Sequence, residues 1–391
     1  MAKKELKKKV FVGLSGGVDS SVSAALLKEA GFDVYGVFIK VWQPDIAITG
    51  GCTWKQDRLD AMRVCAKLDI PFYTLNLEKE YKKEVVDYMI AEYKAGRTPN
   101  PDVMCNKYVK FGGFFDWAMK KGADFVATGH YAQVKTSQKK IGQANGLADT
   151  CFLTREEIRG PESELFSSGW YLLAGQDKNK DQSYFLWTIT QKQLQKTLFP
   201  IGNIEKPQVR KLAKKFGLLT AEKKDSQGVC FIGKIEMIDF LKEFIKPKRG
   251  NVLNEKGEII GSHDGIFYYT IGQRHGFNII KKTTTEERYF VISKDFKNNT
   301  LTVSHNPINT ADISSKEIKL KDINWISGKE PDFTKSYYAR LRYRQTLEKC
   351  QLKHQGSTLM VIFQKSQTAP TPGQSVVIYD GEVCLGGGII E

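Results

Sequence analysis

The stretch Val10-Phe11-Val12-Gly13-Leu14-Ser15-Gly16-Gly17-Val18-Asp19-Ser20-Ser21 constrains this chain more than any other. Its apolar beginning reads as a short buried strand. Ser15-Gly16-Gly17 breaks that strand, and Ser20 to Glu29 carries small and apolar residues at helical spacing, with Gly31 as a stop. A strand, a glycine turn and a helix start in succession make a pocket of backbone N–H groups. The glycines let an anion approach the main chain, and the helix N-terminus favours negative charge. No Lys-Ser/Thr follows a second glycine at Walker A spacing, so the loop is of another kind.

The pattern after the loop alternates. Val34 to Lys40, Ile70 to Leu75 and Asp124 to Ala127 read as strands. Asp57 to Leu68, Lys79 to Ala95 and Lys107 to Lys121 read as helices. Alternation of this kind predicts an α/β fold with a doubly wound parallel sheet, in which ligands sit beyond the carboxyl ends of the strands. Both Ser15-Gly16-Gly17 and Thr128-Gly129-His130 fall there. From Thr136 to about Gly169 the pattern becomes polar and aperiodic, which reads as a surface insertion. Regularity resumes at Asp181 to Leu198. Pro207 to Phe216 reads as a helix with proline in its first turn and Gly217 after its end, and Met237 to Ile245 as another. Beyond Arg249 short alternating runs take over, with hairpin turns at Asn254-Glu255-Lys256-Gly257, Lys297-Asn298-Asn299 and Asp380-Gly381. The expected organisation is an α/β domain over 1–203 with an insertion at about 136–169, a small central domain over 204–275, and a C-terminal antiparallel β-barrel or sandwich over 276–391.

With 59 Lys+Arg against 44 Asp+Glu the net charge is +15, which fits either a polyanionic partner such as nucleic acid or a plain basic surface. No apolar run approaches the roughly 20 residues of a membrane helix, and the lysine-rich start lacks the apolar segment of a secretory signal. A cytoplasmic protein without membrane attachment, monomeric when free, is expected. Seven scattered cysteines without a Cys-x-x-Cys argue against a disulfide framework, zinc or an iron–sulfur cluster.

Ser15-Gly16-Gly17-Val18-Asp19-Ser20 resembles the signature of the PP-loop ATP pyrophosphatases, which cleave ATP between its α and β phosphates. Four further stretches, and a fifth with them, narrow the resemblance. They are Ala95 to Asp102 followed by Cys105-Asn106-Lys107; Lys180-Asp181-Gln182-Ser183-Tyr184-Phe185; Asp225 to Gly233; Thr371-Pro372-Gly373-Gln374; and Tyr269 to Arg274. Together they resemble the tRNA-specific 2-thiouridylases, which replace O2 of the wobble uridine of certain tRNAs with sulfur. The likeness runs from Val10 to Glu391 apart from the insertion.

The resemblance implies ATP and Mg2+ as co-substrate and cation, with Asp19 as the Mg2+ contact because a hard cation between phosphates prefers carboxylate oxygen, tRNA as substrate, and a persulfide-carrying protein as sulfur donor. It implies that Gly13, Leu14, Ser15, Gly16, Gly17, Val18, Asp19 and Ser20 hold the phosphates, with Ile39 and Gly129 lining the adenosine pocket. It implies that Cys230 carries a persulfide and Cys105 is the partner thiol, while Cys52, Cys65, Cys151, Cys350 and Cys384 are structural. Asn100, Pro101 and Asp102 match the segment that meets the target base, and Lys180, Asp181, Gln182, Arg342 and Tyr343 match segments that touch tRNA. His130 reads equally as an N–H donor to phosphate or as a core histidine. The chain departs from the family pattern at Ile39, where methionine is usual, at Ala174-Gly175, where an arginine-glycine pair is usual, and at His275 in Gln273-Arg274-His275-Gly276. Three rivals are a PP-loop amide or urea ligase, a nucleotide-regulated RNA binder without chemistry, and a 4-thiouridine synthetase. The first two need no cysteine pair, and the third usually carries an accessory RNA-binding region not evident here.

Overall fold

The computed structural model describes residues 7–44, 53–136, 169–224, 237–280, 288–305, 314–356 and 358–391. The N-terminal sheet is built from β1 (Lys9–Gly13), β2 (Asp33–Lys40), β3 (Phe72–Asn76), β4 (Phe125–Ala127) and β7 (Thr197–Leu198), in the order β3-β2-β1-β4-β7. Every pairing is parallel. Parallel strands need crossovers, which α1 (Val18–Glu29) and α2 (Thr53–Leu68) supply on one side of the chain order. On the other lie α3 (Glu78–Tyr81, then π-helical Lys82–Asp87, then Tyr88–Lys94) and α4 (Pro101–Met104, π-helical Cys105–Phe114, Phe115–Lys120). Helix α4 therefore begins six residues before the sequence expectation, because Asn100 caps it and Pro101 stands in its first turn.

Alternation along β1 splits its side chains between two cores. Val10 and Val12 pack with Ala24, Leu27, Ala61 and Cys65, while Phe11 packs with Val37, Val85, Met89 and Phe114. Strand order reverses between β2 and β4 on either side of β1, and the crevice of such a sheet opens there. A fifth helix, α5 (Lys206–Lys215), closes over α1 through Val18, Val22, Val209 and Ala213.

Two strands were not visible in the sequence. Ala132–Thr136 (β5) and Trp170–Ala174 (β6) pair antiparallel, Thr136 opposite Trp170, and so flank the insertion as a hairpin. The insertion's interior, 137–168, lies outside the described residues. Strand β6 also pairs with β18 of the C-terminal sheet, Val383 opposite Leu173, so the catalytic domain extends that sheet directly.

The central sheet comprises β8 (Gly250–Leu253), β9 (Ile259–His263), β10 (Asn278–Ile279), β11 (Phe290–Asp295) and β12 (Thr300–Ser304). Helix α6 (Met237–Lys242) precedes it. Residues 276–304, grouped with the barrel on sequence, thus hydrogen-bond into the central sheet wherever they are described, since β10 pairs with β9 and β12 with β8. Side-chain periodicity identifies a strand but not the sheet it joins. The barrel itself runs β13 (Ser314–Trp325), β16 (Thr358–Thr368), β15 (Glu348–Gln355), β14 (Ser336–Arg340), β17 (Ser375–Asp380) and β18 (Val383–Ile390). It closes through β13 with β18. Among the described residues, no helix is long and apolar enough to cross a membrane.

Candidate active site

At the end of β1 the chain turns through Gly16 at φ +74°, a conformation glycine adopts without strain. A Cβ there would fall 2.3 Å from the Asp57 carbonyl oxygen, so only glycine lets α2 begin against the loop. Gly17 stands at the N-cap of α1 with no side chain capping the first turn, which leaves those amides to an incoming anion. The loop is braced internally: Ser15 N–H donates to Ser20 Oγ at 3.2 Å, Gly17 N–H to Ser15 Oγ at 3.3 Å, and Ser21 Oγ to the Gly17 carbonyl at 2.7 Å.

Gly129 lies across from α1 at the end of β4. A Cβ on it would meet Ser20 N at 2.6 Å and the Asp19 carbonyl carbon at 2.8 Å, so the chain leaving β4 touches the first turn of α1 main chain to main chain. Ile39, 5% exposed, reaches Gly13 from β2 and is part of the apolar core there. The side chains of Leu14 and Val18 are buried beneath the loop.

Asp19 is held by two groups from remote sequence. Lys206 Nζ donates to its Oδ1 at 2.7 Å and its Oδ2 at 2.9 Å, and Tyr131 OH donates to Oδ1 at 2.8 Å. The Lys206 side chain is only 10% exposed. Its main-chain N–H is fixed by the Asp177 carboxylate at 3.1 Å. A cation next to a carboxylate at the mouth of an amide-lined turn suits a polyphosphate and its metal. Sequence reading missed Lys206, although Pro207 had already marked the start of its helix. Among the described residues no cluster of three metal-ligating side chains exists. A magnesium bridging phosphates needs only one or two carboxylates, and Asp19 fits that requirement.

His130 is a core residue. It is 6% exposed, packs edge-on against Phe199, and bonds Thr128 Oγ1 at 2.7 Å and Lys110 Nζ at 3.3 Å. Burial, with Lys110 adding to it, pushes its pKa well below the usual value. The ring is neutral, and since Lys110 can only donate, Nε2 accepts and Nδ1–H donates to Thr128.

The segment before α4 is where three domains meet. Thr98 Oγ1 bonds Thr270 Oγ1 at 2.9 Å, and Thr98 N–H donates to the Pro372 carbonyl at 2.9 Å. Gln374 Nε2 donates to the Thr98 and Pro99 carbonyls at 2.8 and 3.0 Å. Lys294 of β11 reaches the Gly96 and Tyr269 carbonyls at 3.0 and 2.8 Å, and burial lowers its pKa to about 8. The Tyr269–Arg274 and Thr371–Gln374 stretches are therefore partners of Arg97–Asn100. Asn100 caps α4 by accepting from Val103 N–H at 3.3 Å, and Pro101 and Asp102 form the first turn, all three partly exposed.

Cys105 follows in the second turn of α4, fully buried in the core shared with Ile39 and Phe114. Its neighbour Asn106 ties the helix to the Phe185 carbonyl at 3.1 Å, and Asn106 Oδ1 is buried without a hydrogen-bond partner. Farther along α4, Phe114 packs at Gly13, so one helix runs from the three-domain junction to the end of β1. Cys230 lies outside the described residues. The chain leading to it passes Lys223, whose ammonium bonds Asp57 and Asp60 at 2.8 and 2.7 Å, at the same start of α2 that meets Gly16. Cys65, Cys350 and Cys384 are buried, and burial pushes each thiol up to about 12, which leaves them unreactive at neutral pH. Cys52 and Cys151 lie outside the described residues.

Of the remaining expected contacts, Lys180, Gln182 and Tyr343 are partly exposed and Arg342 is exposed, whereas Asp181 is not available. It is 3% exposed, and its carboxylate takes Gly175 N–H, Ser183 N–H, Ser183 Oγ and Arg340 Nη2. Gln182 Oε1 accepts from Tyr131 N–H at 3.0 Å.

The family model described as "tRNA methyl transferase HUP domain" matches residues 8–234, more than half of the chain. Models described as "tRNA methyl transferase PRC-barrel domain" and "Aminomethyltransferase beta-barrel domain" match 238–305 and 315–390. The tRNA-specific 2-thiouridylase MnmA of Enterococcus faecalis is 46% identical over 391 residues, covering 98% of this chain and 96% of that protein. This chain belongs to the tRNA-specific 2-thiouridylase family. The namesakes from Streptococcus thermophilus and Pseudomonas fluorescens are each 44% identical, covering 98% of this chain and 95% of theirs. The chain is thus an enzyme of the tRNA sulfurtransferase class, in a family that uses ATP, and its architecture is the expected α/β domain, central domain and closed antiparallel barrel.

Proposed function

We propose that this 2-thiouridylase adenylates O2 of the wobble uridine of tRNA and replaces it with sulfur delivered from a cysteine persulfide. The observation that carries the reading is the course of α4, which joins Asn100-Pro101-Asp102 and Cys105 at one end to the Gly13 loop wall farther along. A uridine C2 carbonyl is a poor electrophile, and a thiol does not displace its oxygen. Transfer of AMP from ATP to O2 makes that oxygen a leaving group and releases pyrophosphate. The amides of Gly16, Gly17 and the first turn of α1 would hold the phosphates, with Ser15 and Ser20 shaping the loop around them. Ile39 and Gly129 would bound the adenosine. Asp19 would share the phosphates' Mg2+, and Lys206, freed from Asp19, would turn its ammonium to a phosphate oxygen.

Sulfur then arrives from a donor protein as a persulfide on Cys230. Cys105 attacks the inner sulfur of that persulfide, the S–S bond breaks, and the terminal sulfur leaves with the bonding pair to replace AMP at C2. A Cys105–Cys230 disulfide remains, and an external thiol reductant restores both cysteines. The pairing needs the two Cα atoms within about 7 Å of each other. Lys180, Gln182, Arg342 and Tyr343 would contact the tRNA body, arginine suiting phosphate and tyrosine stacking. Cysteine chemistry also separates this reading from a ligase, which would tolerate loss of either thiol.

The deciding experiment is peptide mapping after one turnover without reductant. Wild-type enzyme should contain a Cys105–Cys230 disulfide. Cys230→Ser should retain no sulfur from a labelled donor, whereas Cys105→Ser should load Cys230 and then stall. A different cysteine pair, or full activity in either variant, refutes the mechanism.

A further inference from the structure

The carboxylate of Asp181 is saturated by donors and sealed from solvent, although its neighbours Lys180 and Gln182 are partly exposed. Its ionic partner, Arg340, stands two residues before exposed Arg342 on the barrel, 159 positions away in sequence. We propose that Asp181 and Arg340 are positioning residues that lock two RNA-contacting segments, one from each domain, into a single face. The inference rests on the tRNA-binding role given above to Lys180, Gln182, Arg342 and Tyr343.

The geometry converges on that face. Arg340 Nη2 lies 2.6 Å from Asp181 Oδ2 and 2.7 Å from Tyr379 OH, with Ser183 Oγ at 3.3 Å. Both side chains of the ion pair are under 10% exposed. Four residues after Arg340, Arg344 Nε donates to the Asn179 carbonyl at 2.9 Å, and Tyr343 packs on Phe185 with ring centroids 4.8 Å apart. The segment 179–185 and the turn 340–344 are therefore in contact on both sides of the buried pair. The turn is also conformationally fixed. Arg344 is held at φ +64°, a region costly for a residue other than glycine. Gln345 Oε1 accepts the N–H groups of Leu341 and Arg342 at 3.0 and 3.1 Å.

Stability alone does not account for the arrangement. A buried ion pair is commonly no better than a well-packed apolar pair, and Arg340 Nε is buried without a hydrogen-bond partner. What the pair provides is register. It fixes the chain bearing Lys180 and Gln182 against the chain bearing Arg342, so that cations from two domains meet a phosphate backbone at a set spacing.

The test is a thermodynamic cycle on the intact enzyme with unmodified tRNA. Asp181→Asn/Arg340→Met removes the ion pair without leaving a buried charge, and asparagine can still accept from Gly175 and Ser183. ATP affinity should stay within twofold, while tRNA affinity falls roughly tenfold and kcat at saturating tRNA changes little. Arg342→Ala should weaken tRNA binding several-fold in the wild-type background but less than twofold in the double variant, because misplaced Arg342 no longer contributes. Arg340→Lys, which keeps the charge but not the fork, serves if the double variant fails to fold, and should show the same loss of coupling. Equal cost of Arg342→Ala in both backgrounds, or tRNA affinity within twofold of wild type, overturns the positioning role. If Arg342→Ala leaves wild-type tRNA affinity and its salt dependence unchanged, the RNA face itself has been misassigned, and the positioning role falls with it.

Discussion

The close main-chain approach at Gly129 gives the proposed nucleotide site its sharpest prediction, the effect of Gly129→Ala. An added Cβ would sit 2.6 Å from Ser20 N, 2.8 Å from the Asp19 carbonyl carbon and 3.0 Å from Ser20 Cα. Ordinary van der Waals contact begins at 3.4 Å, so the end of β4 and the start of α1 must separate by about 0.8 Å. No flexible side chain can absorb this, because every atom met is backbone. The displaced residues are Asp19 and Ser20, which brace Ser15 and carry the proposed Mg2+ contact. Misplacing catalytic groups by about 1 Å costs on the order of 100-fold in rate. Overpacking costs a further ~1–3 kcal/mol of stability, a fall of several degrees in Tm. Pyrophosphate release under saturating tRNA should therefore drop by one to two orders of magnitude, while tRNA affinity by filter binding stays within twofold. An unchanged KM for ATP and unchanged pyrophosphate release in a folded Gly129→Ala enzyme would refute the close-approach argument.

Three further outcomes follow from the same geometry. Lys206→Met should lower ATP affinity roughly 10- to 100-fold, the value of one charge-assisted hydrogen bond at about 1.5–3 kcal/mol, with calorimetry as the measure; an unaltered Kd would remove Lys206 from the phosphate site. His130 is kept neutral in the fold but protonates near pH 6.5 when unfolded, so stability should decline below that pH by up to about 1.4 kcal/mol per unit. Urea unfolding at pH 5 to 7 should show this decline in wild type and a flatter profile in His130→Gln. Lys294, with its folded pKa lowered to about 8, binds fewer protons than in the unfolded chain between about pH 8 and the ordinary lysine range. Stability relative to Lys294→Met should accordingly rise with pH across that window, and a constant difference would contradict the burial argument.

The parts of this site legible in the sequence were those whose signal is local. Strand β1, the turn at Gly16 and helix α1 announce themselves through apolar run, glycine and helical spacing within a dozen residues. Asn100 and Pro101 likewise carry capping chemistry that could have moved the start of α4 to its observed place. What stayed hidden is set by partners far along the chain. Lys206 lies 187 positions from Asp19, and nothing in the pattern around Pro207 says where its ammonium points. Strands β5 and β6 are five residues each, and their membership of the barrel sheet depends on β18, some two hundred positions later. Asp181 looks exposed between Lys180 and Gln182, and the charge that pairs with it inside the fold, Arg340, comes 159 positions on.

Burial does not by itself separate the cysteines, for Cys105 is as thoroughly enclosed as Cys65, Cys350 and Cys384. Position does. Cys65 faces the core between β2 and α2, Cys350 lies inside barrel packing, and Cys384 stands on β18 opposite Leu172, where that strand pairs with β6. Cys105 instead stands one turn into a helix whose start is clamped by Thr98 to the central domain and by Gln374 to the barrel. Asn106 fastens the same turn to Phe185 at the proposed RNA face. A substrate engaging those surfaces together would act on one short element, and that element carries the thiol. Under the proposed mechanism, mechanical linkage of this kind would expose the buried Cys105 thiol when tRNA is seated, and so would limit loss of activated sulfur to water or stray thiols. Loosening the clamp should then uncouple the two events. Thr98→Val, which removes the Thr270 bond while keeping shape, should raise the rate at which Cys105 is alkylated by iodoacetamide without tRNA several-fold, with little change in Tm. Equal alkylation rates in variant and wild type would show that the junction does not govern access to Cys105.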